Sequence, residues 1–324
     1  MKKVYDFFRK FYWLFLIGGF INIIFGTVAF ALDYKNQQFV FPAVCSILFV
    51  VFLAASLSFA IFFAHKTKHL HITKIRKQSS NFLKLSTWLA LAAITLLFIA
   101  ETVKLVSKSY ISDPSDFTPA RIARYILCLP LIAYFLINAL PSKIKKTKIV
   151  IPNVIKYILS VCSILWCLSG LLSAYFYEKL AETNMAKNWQ IIIYLALTFF
   201  FLFEAKFEHL KPSNFAYVLS AFTSFLLVMS FSVTIIISSS LGFIPIYIDA
   251  GQNVYECFSA VENLVVFLLG LYAFARMHAV YRTMKHVMDN DEKGSFSSKF
   301  NKKPNDFATD SKKASQTTPT NEEI

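Results

Sequence analysis

Residues 39–64 read FVFPAVCSILFVVFLAASLSFAIFFA, an apolar run of 26 residues without one charged side chain. A hydrocarbon layer about 30 Å thick takes roughly 20 apolar residues at the helical rise. Barrel strands are only about ten residues long and alternate in polarity, so this run reads as a transmembrane helix with its backbone bonded internally. Seven further stretches have the same character, giving spans at Phe11 to Leu32, Phe39 to Ala64, Phe82 to Val106, Ile122 to Leu140, Val154 to Phe176, Trp189 to Phe207, Phe215 to Ser238 and Val254 to Phe274. The expected fold is all-α, a polytopic transmembrane bundle of eight spans.

Composition agrees with that reading. Hydrophobic residues make up 56% of the 324 and charged residues 16%, against about a quarter charged in soluble domains. The net charge of +14 is explained by where the charges lie. With the N-terminus in the cytoplasm, 26 Lys and Arg fall inside and seven outside, the bias that the positive-inside rule produces. Both termini are then cytoplasmic, the expected location is the cell membrane, and a nucleic-acid partner is not needed to explain the basicity.

The N-terminus allows a second reading. Met1 to Lys10 is basic and Ala29-Phe30-Ala31 has the form of a signal-peptidase site. Asp6, Asn22 and the length of the apolar run argue for a retained first span. Short connections leave one membrane domain at 1–290. Residues 291–324 turn to Ser, Thr, Lys, Asp, Asn and Pro and are expected to form a disordered tail. Between them Met277, Tyr281, Met284 and Met288 alternate with His278, Arg282, Lys285 and His286, which suits a basic helix end lying along the membrane.

Named chemistries find little footing. The eight glycines form neither GxxxxGK[ST] nor GxGxxG, and HExxH and GxSxG are absent. The five cysteines, Cys45, Cys128, Cys162, Cys167 and Cys257, fall in or beside spans without a CxxC pair, so no disulfide framework is expected. No histidine falls inside the eight spans as drawn. His65, His69 and His71 cluster at the end of the second span, but Lys66, Lys68 and Lys74 around them repel a metal cation. No catalytic residue, metal or cofactor is assigned.

Small residues and ionisable ones divide the spans. Ser160, Ser163, Cys167, Gly170 and Ala174 recur at three- and four-residue steps, as do Gly19, Asn22 and Gly26, and these stripes read as packing faces. Ala216, Ser220 and Ser224 belong with them. Phe98-x-x-Glu101 and Phe201-x-x-Glu204 are the two matches that an inverted repeat of spans two to four onto five to seven would leave.

Charges inside a span are costly and count as functional candidates. Glu204 is followed by Lys206, Glu208 and His209 and is expected to reach the headgroups. Glu101 has Lys104 one turn on, whereas Glu262 has no local partner. Arg121 and Arg124 share a face of the fourth span on the side that the positive-inside rule disfavours. The candidate site is an outward-facing polar cavity of Glu101, Arg121, Arg124, Glu256, Ser259, Glu262 and Asn263. A competing reading has these charges pair with one another and hold the spans together. The expected function is binding or transport of a small solute or ion through that cavity. The alternative is a non-transporting sensor or assembly subunit with a cytoplasmic protein partner.

Overall fold

The uncharged run becomes a helix, and so do the described parts of its seven counterparts. In the computed structural model, residues 17–28, 40–67, 81–106, 119–140, 152–176, 185–209, 214–240 and 260–300 are described. They form α1 (Ile17–Val28), α2 (Val40–Thr67), α3 (Asn81–Val106), α4 (Pro119–Ala139), α5 (Asn153–Tyr175), α6 (Met185–His209), α7 (Asn214–Ser240) and α8 (Ala260–Phe300). Among the described residues, seven helices, α2 to α8, are long and apolar enough to cross a membrane. The first expected span is described only over the shorter α1.

Six helices close into a ring. α3 packs on α4, α4 on α5, α5 on α6, α6 on α7, α7 on α8, and α8 returns to α3. Ring contacts run antiparallel: Thr102 near the end of α3 meets Tyr125 near the start of α4, and Ser160 near the start of α5 meets His209 at the end of α6. The even-numbered members α4, α6 and α8 therefore run parallel to one another and alternate with α3, α5 and α7. We call the end where α4, α6 and α8 begin the head, and the end where they finish the foot.

Helices α1 and α2 lie outside the ring against α7. α2 packs on α7, with Phe49 edge-on to Phe231. Gly26 of α1 sits so close that an added Cβ would fall 2.8 Å from Thr234 Oγ1 and 3.0 Å from the Phe49 ring. The segments matched by the possible inverted repeat are thus placed unequally, since α2 is peripheral and α5 is a ring member.

Large apolar side chains such as Ile47, Val50, Leu85, Trp88, Ile158 and Leu165 are exposed on the bundle's outer surface. In water such a surface drives association; around a membrane bundle it meets lipid, which offers Leu and Ile the same apolar contact. The interior is dominated by aromatic rings and small residues, and the expected stripe of α5 is buried: Ser160, Ser163, Cys167, Gly170 and Ala174 all face neighbours. Cys45, Cys128, Cys162 and Cys167 are free thiols, and Cys257 lies outside the described residues.

The last helix departs from its expected limits at both ends. Residues 254–259 fall outside the described residues, and the apolar portion continues past Phe274 to Val280. Arg276 and His278 therefore lie within a spanning segment, and His209 ends the one on α6. Buried Met277, Ala279 and Val280 carry the apolar face through that turn, so the charges there sit beside side chains packed inside the bundle. α8 continues to Phe300. Of the tail proposed at 291–324, residues 301–324 lie outside the described residues.

Candidate functional site

A residue of α4 can touch α6 or α8 only across the interior of the ring, because its ring neighbours are α3 and α5. The same holds for α6 and α8, and three levels of contacts among α4, α6 and α8 run along the axis.

At the head, Arg124 of α4 places Nη1 2.5 Å from Oε1 of Glu262 on α8 and donates through Nη2 to the hydroxyl of Tyr194 on α6. That hydroxyl in turn donates to the same Glu262 oxygen at 2.6 Å. The three helices are thereby joined by a closed triangle of hydrogen bonds, each with an ionised donor or acceptor and so among the stronger kinds. The guanidinium also lies 4.8 Å from the Trp166 ring and 4.9 Å from the Tyr194 ring, contacts that stabilise a desolvated cation. Trp166, from α5, donates its indole N–H to Cys128 Sγ at 3.3 Å.

Local sequence makes this convergence possible. Gly170 of α5 lacks the Cβ that would sit 2.7 Å from the Tyr194 ring, so α5 and α6 approach closely enough to hold that ring in place. The small-residue stripe is a packing device, and its beneficiary is a side chain of the head cluster.

Below the head, the axis is filled by rings. Phe135 of α4 packs edge-on to Phe201 of α6 and to Tyr272 of α8. Tyr134 meets Phe201, and Phe200 meets Tyr272. Phe135, Phe200 and Tyr272 are essentially inaccessible, and edge-to-face packing of this kind adds to their burial.

At the foot a second ionic cluster joins α6 to α8. Arg276 donates through Nε to Oε1 of Glu204 and through Nη2 to Oε1 of Glu208. The Tyr272 hydroxyl donates to the same Glu204 oxygen at 2.9 Å. Glu204 is only 1% exposed, against 17% for Glu208 and 20% for Arg276. Its other oxygen, Oε2, is buried and has no hydrogen-bond partner among the described residues. From Glu262 to Arg276 is 14 residues of α8, so the two clusters lie about 20 Å apart along the axis.

This placement changes the reading of several residues. Arg124 and Glu262 are brought together, and Glu262 finds across the ring the partner that its own helix does not supply. Asn263 is buried on another face, where its Oδ1 accepts from Ser232 Oγ of α7 at 2.9 Å. Glu101 is half-buried on α3, near enough to the head cluster for its charge to act on Cys128. The side chain of Arg121, and Glu256 and Ser259 entirely, lie outside what is described. Glu204 does not reach the headgroups as expected, because a cation on a parallel helix holds it inside. Tyr194, Trp166, Glu208, Tyr272 and Arg276 were not anticipated as site residues. One signal was available: Glu204 and Glu208 are four apart on one helix face, and Arg276 lies at the same end of a helix running the same way.

His65 packs edge-on to Phe215, while His69 and His71 lie outside the described residues. No known protein family, no curated protein and no solved structure matches this chain.

Proposed function

We propose that this chain moves a small polar or charged solute across its membrane along the axis of the six-helix ring, with the head and foot clusters as its two closures. The observation that carries the reading is that charged groups from same-direction ring members converge on the axis at two levels, with a layer of aromatic rings between them. Ionisable groups inside spans face interiors and mark solute or ion pathways, and ion pairs between helices are contacts that can be made at one end while broken at the other. Pro130 lies between Arg124 and the aromatic layer. It removes the helical hydrogen bond to the Ile126 carbonyl and gives α4 a place to bend. By the charge bias the head faces outward and the foot faces the cytoplasm of the cell.

A second reading has a specific observation in its favour. The head triangle uses both terminal nitrogens of Arg124 and matches one cation to one carboxylate, as a permanent clamp in a sensor or assembly subunit would.

One experiment separates the two. Phe135 and Phe201 are replaced singly by Cys in a variant whose five native cysteines are Ser or Ala, and the protein is reconstituted in liposomes. A membrane-impermeant thiosulfonate is then applied from either face. A carrier lets the reagent reach both positions, with reaction from one face suppressing reaction from the other. A permanent clamp protects both positions from both faces, and that result sinks the transport reading.

A further inference from the structure

The head matches one guanidinium to one carboxylate, Arg124 to Glu262. At the foot Arg276 is shared by two carboxylates, Glu204 and Glu208, so with all three ionised the cluster carries one uncompensated negative charge. That excess falls on the less accessible partner, since Glu204 is 1% exposed and its Oε2 meets no donor among the described residues. A buried carboxylate oxygen without a donor is among the most costly states a side chain can take, and two carboxylates sharing one site favour protonating one of them.

We propose that Glu204 is a proton-binding site of the bundle, taking up and releasing one proton at Oε2 through the foot end. As the coupling site of the carrier it rests on the transport reading; as a proton site it stands without it. In uptake a hydronium ion at the foot end gives its proton to Oε2, an O–H bond forms, water is left, and no electrons change hands. Release is the reverse. Oε1 keeps its bonds from Tyr272 and Arg276 in both states. Glu208, partly exposed on the next turn of α6, is the relay between water and the buried carboxyl.

The groups that face this carboxyl come from three helices besides its own. Tyr272 and Arg276 approach from α8, Tyr134 from α4 and Tyr217 from α7 lie within its electrostatic reach, and Glu208 completes the set on α6. His209 is turned away toward Ser160 and Tyr157 of α5. Among these groups Glu204 is the carboxyl that is fully enclosed, shares its guanidinium with a second carboxylate and keeps an oxygen without a donor among the described residues. A metal ion is a poorer occupant, because it takes several oxygen ligands and the adjoining guanidinium repels it.

The test is infrared difference spectroscopy of the full chain in detergent, reading the carbonyl stretch of a protonated carboxyl between about pH 5 and pH 9. The band should be present and titrate in the unaltered protein, vanish in Glu204→Gln and survive in Glu262→Gln. Glu208→Gln should weaken proton affinity about tenfold or more by leaving Arg276 wholly to Glu204. Tyr272→Phe removes one donor to the ionised form without altering the ring and should strengthen proton affinity, which keeps the proposal testable if Glu204→Gln does not fold. No titrating band, a band indifferent to these substitutions, or one that responds only when sodium or potassium replaces a bulky organic cation would each overturn the proposal. A titrating Glu204 in a bundle whose axis stays closed to the thiosulfonate would sink the transport reading alone.

Discussion

The head and foot clusters use the same vocabulary, an arginine, a carboxylate and a tyrosine hydroxyl, and differ in arithmetic and depth. At the head one carboxylate meets one guanidinium, and the two are about equally accessible, 14% and 12% exposed. At the foot a second carboxylate is added and the first is driven to 1% exposure. The head also has aromatic faces on its cation, while at Arg276 the Tyr272 ring lies at the longer distance of 5.9 Å. A balanced cluster is suited to staying formed. An unbalanced one is suited to responding to a change in charge.

The largest effect should come from removing the arginine of each cluster in turn. Arg276→Met leaves two carboxylates facing each other, one of them fully enclosed, and should lower stability by about 3–5 kcal/mol, the range for breaking a buried ion pair. Arg124→Met should cost less, because Glu262 is 14% exposed against 1% for Glu204 and is left without a second carboxylate beside it. Unfolding by a denaturing detergent in mixed micelles measures both. Equal losses would mean that the extra carboxylate at the foot is neutralised in the resting protein. Adding Glu204→Gln to Arg276→Met should recover much of the loss, and adding Glu262→Gln to Arg124→Met should recover less.

The fold was legible in the sequence because a bilayer asks one question of every segment, and the apolar runs answer it. The run at 39–64 became Val40–Thr67, and the stretch from Phe215 to Ser238 became Asn214–Ser240. The stripe around Gly170 was legible as packing for the same reason, since small residues at helical spacing have few other uses in lipid. The site was only partly legible. Glu262 stood out as a charge without a local partner and Arg124 as a cation on the side that the positive-inside rule disfavours, but Tyr194 looked like any aromatic among many. The foot cluster was hidden because Glu204 and Arg276 each lie close to other charges along the chain, which imitates an interface. What buries them is a contact spanning 72 residues, and a hydropathy window carries no information about which helices run side by side.

An intermediate effect is expected where packing supports the head. Gly170→Ala places a methyl group 2.7 Å from the Tyr194 ring, so either α5 moves away from α6 or the ring turns and its hydroxyl leaves the triangle. Overpacking of this kind costs about 1–3 kcal/mol. The foot should be unaffected, which a double-mutant cycle with Tyr272→Phe would show as additivity. Strong coupling between the two would mean that the ends of the axis communicate through α6 and the aromatic layer, the behaviour a carrier with two closures needs.

The smallest effect separates Asn263 from its neighbour Glu262. The two are adjacent in sequence, yet Glu262 points into the axis while Asn263, 2% exposed, accepts from Ser232 in the seam between α7 and α8. Ser232→Ala removes that donor and should lower stability by about 0.6 kcal/mol, the average for a hydrogen bond between membrane helices, and by no more than about 2 kcal/mol. The coupling energy between Arg124 and Glu262, measured in the same background, should stay unchanged. If Ser232→Ala instead weakens that coupling, then α7 sets the rotation of α8 about its own axis, and the seam is part of what aims Glu262 at the head. The head would then depend on five helices, α4 to α8, and the balance that makes it look self-sufficient would be imposed from outside the ring's axis.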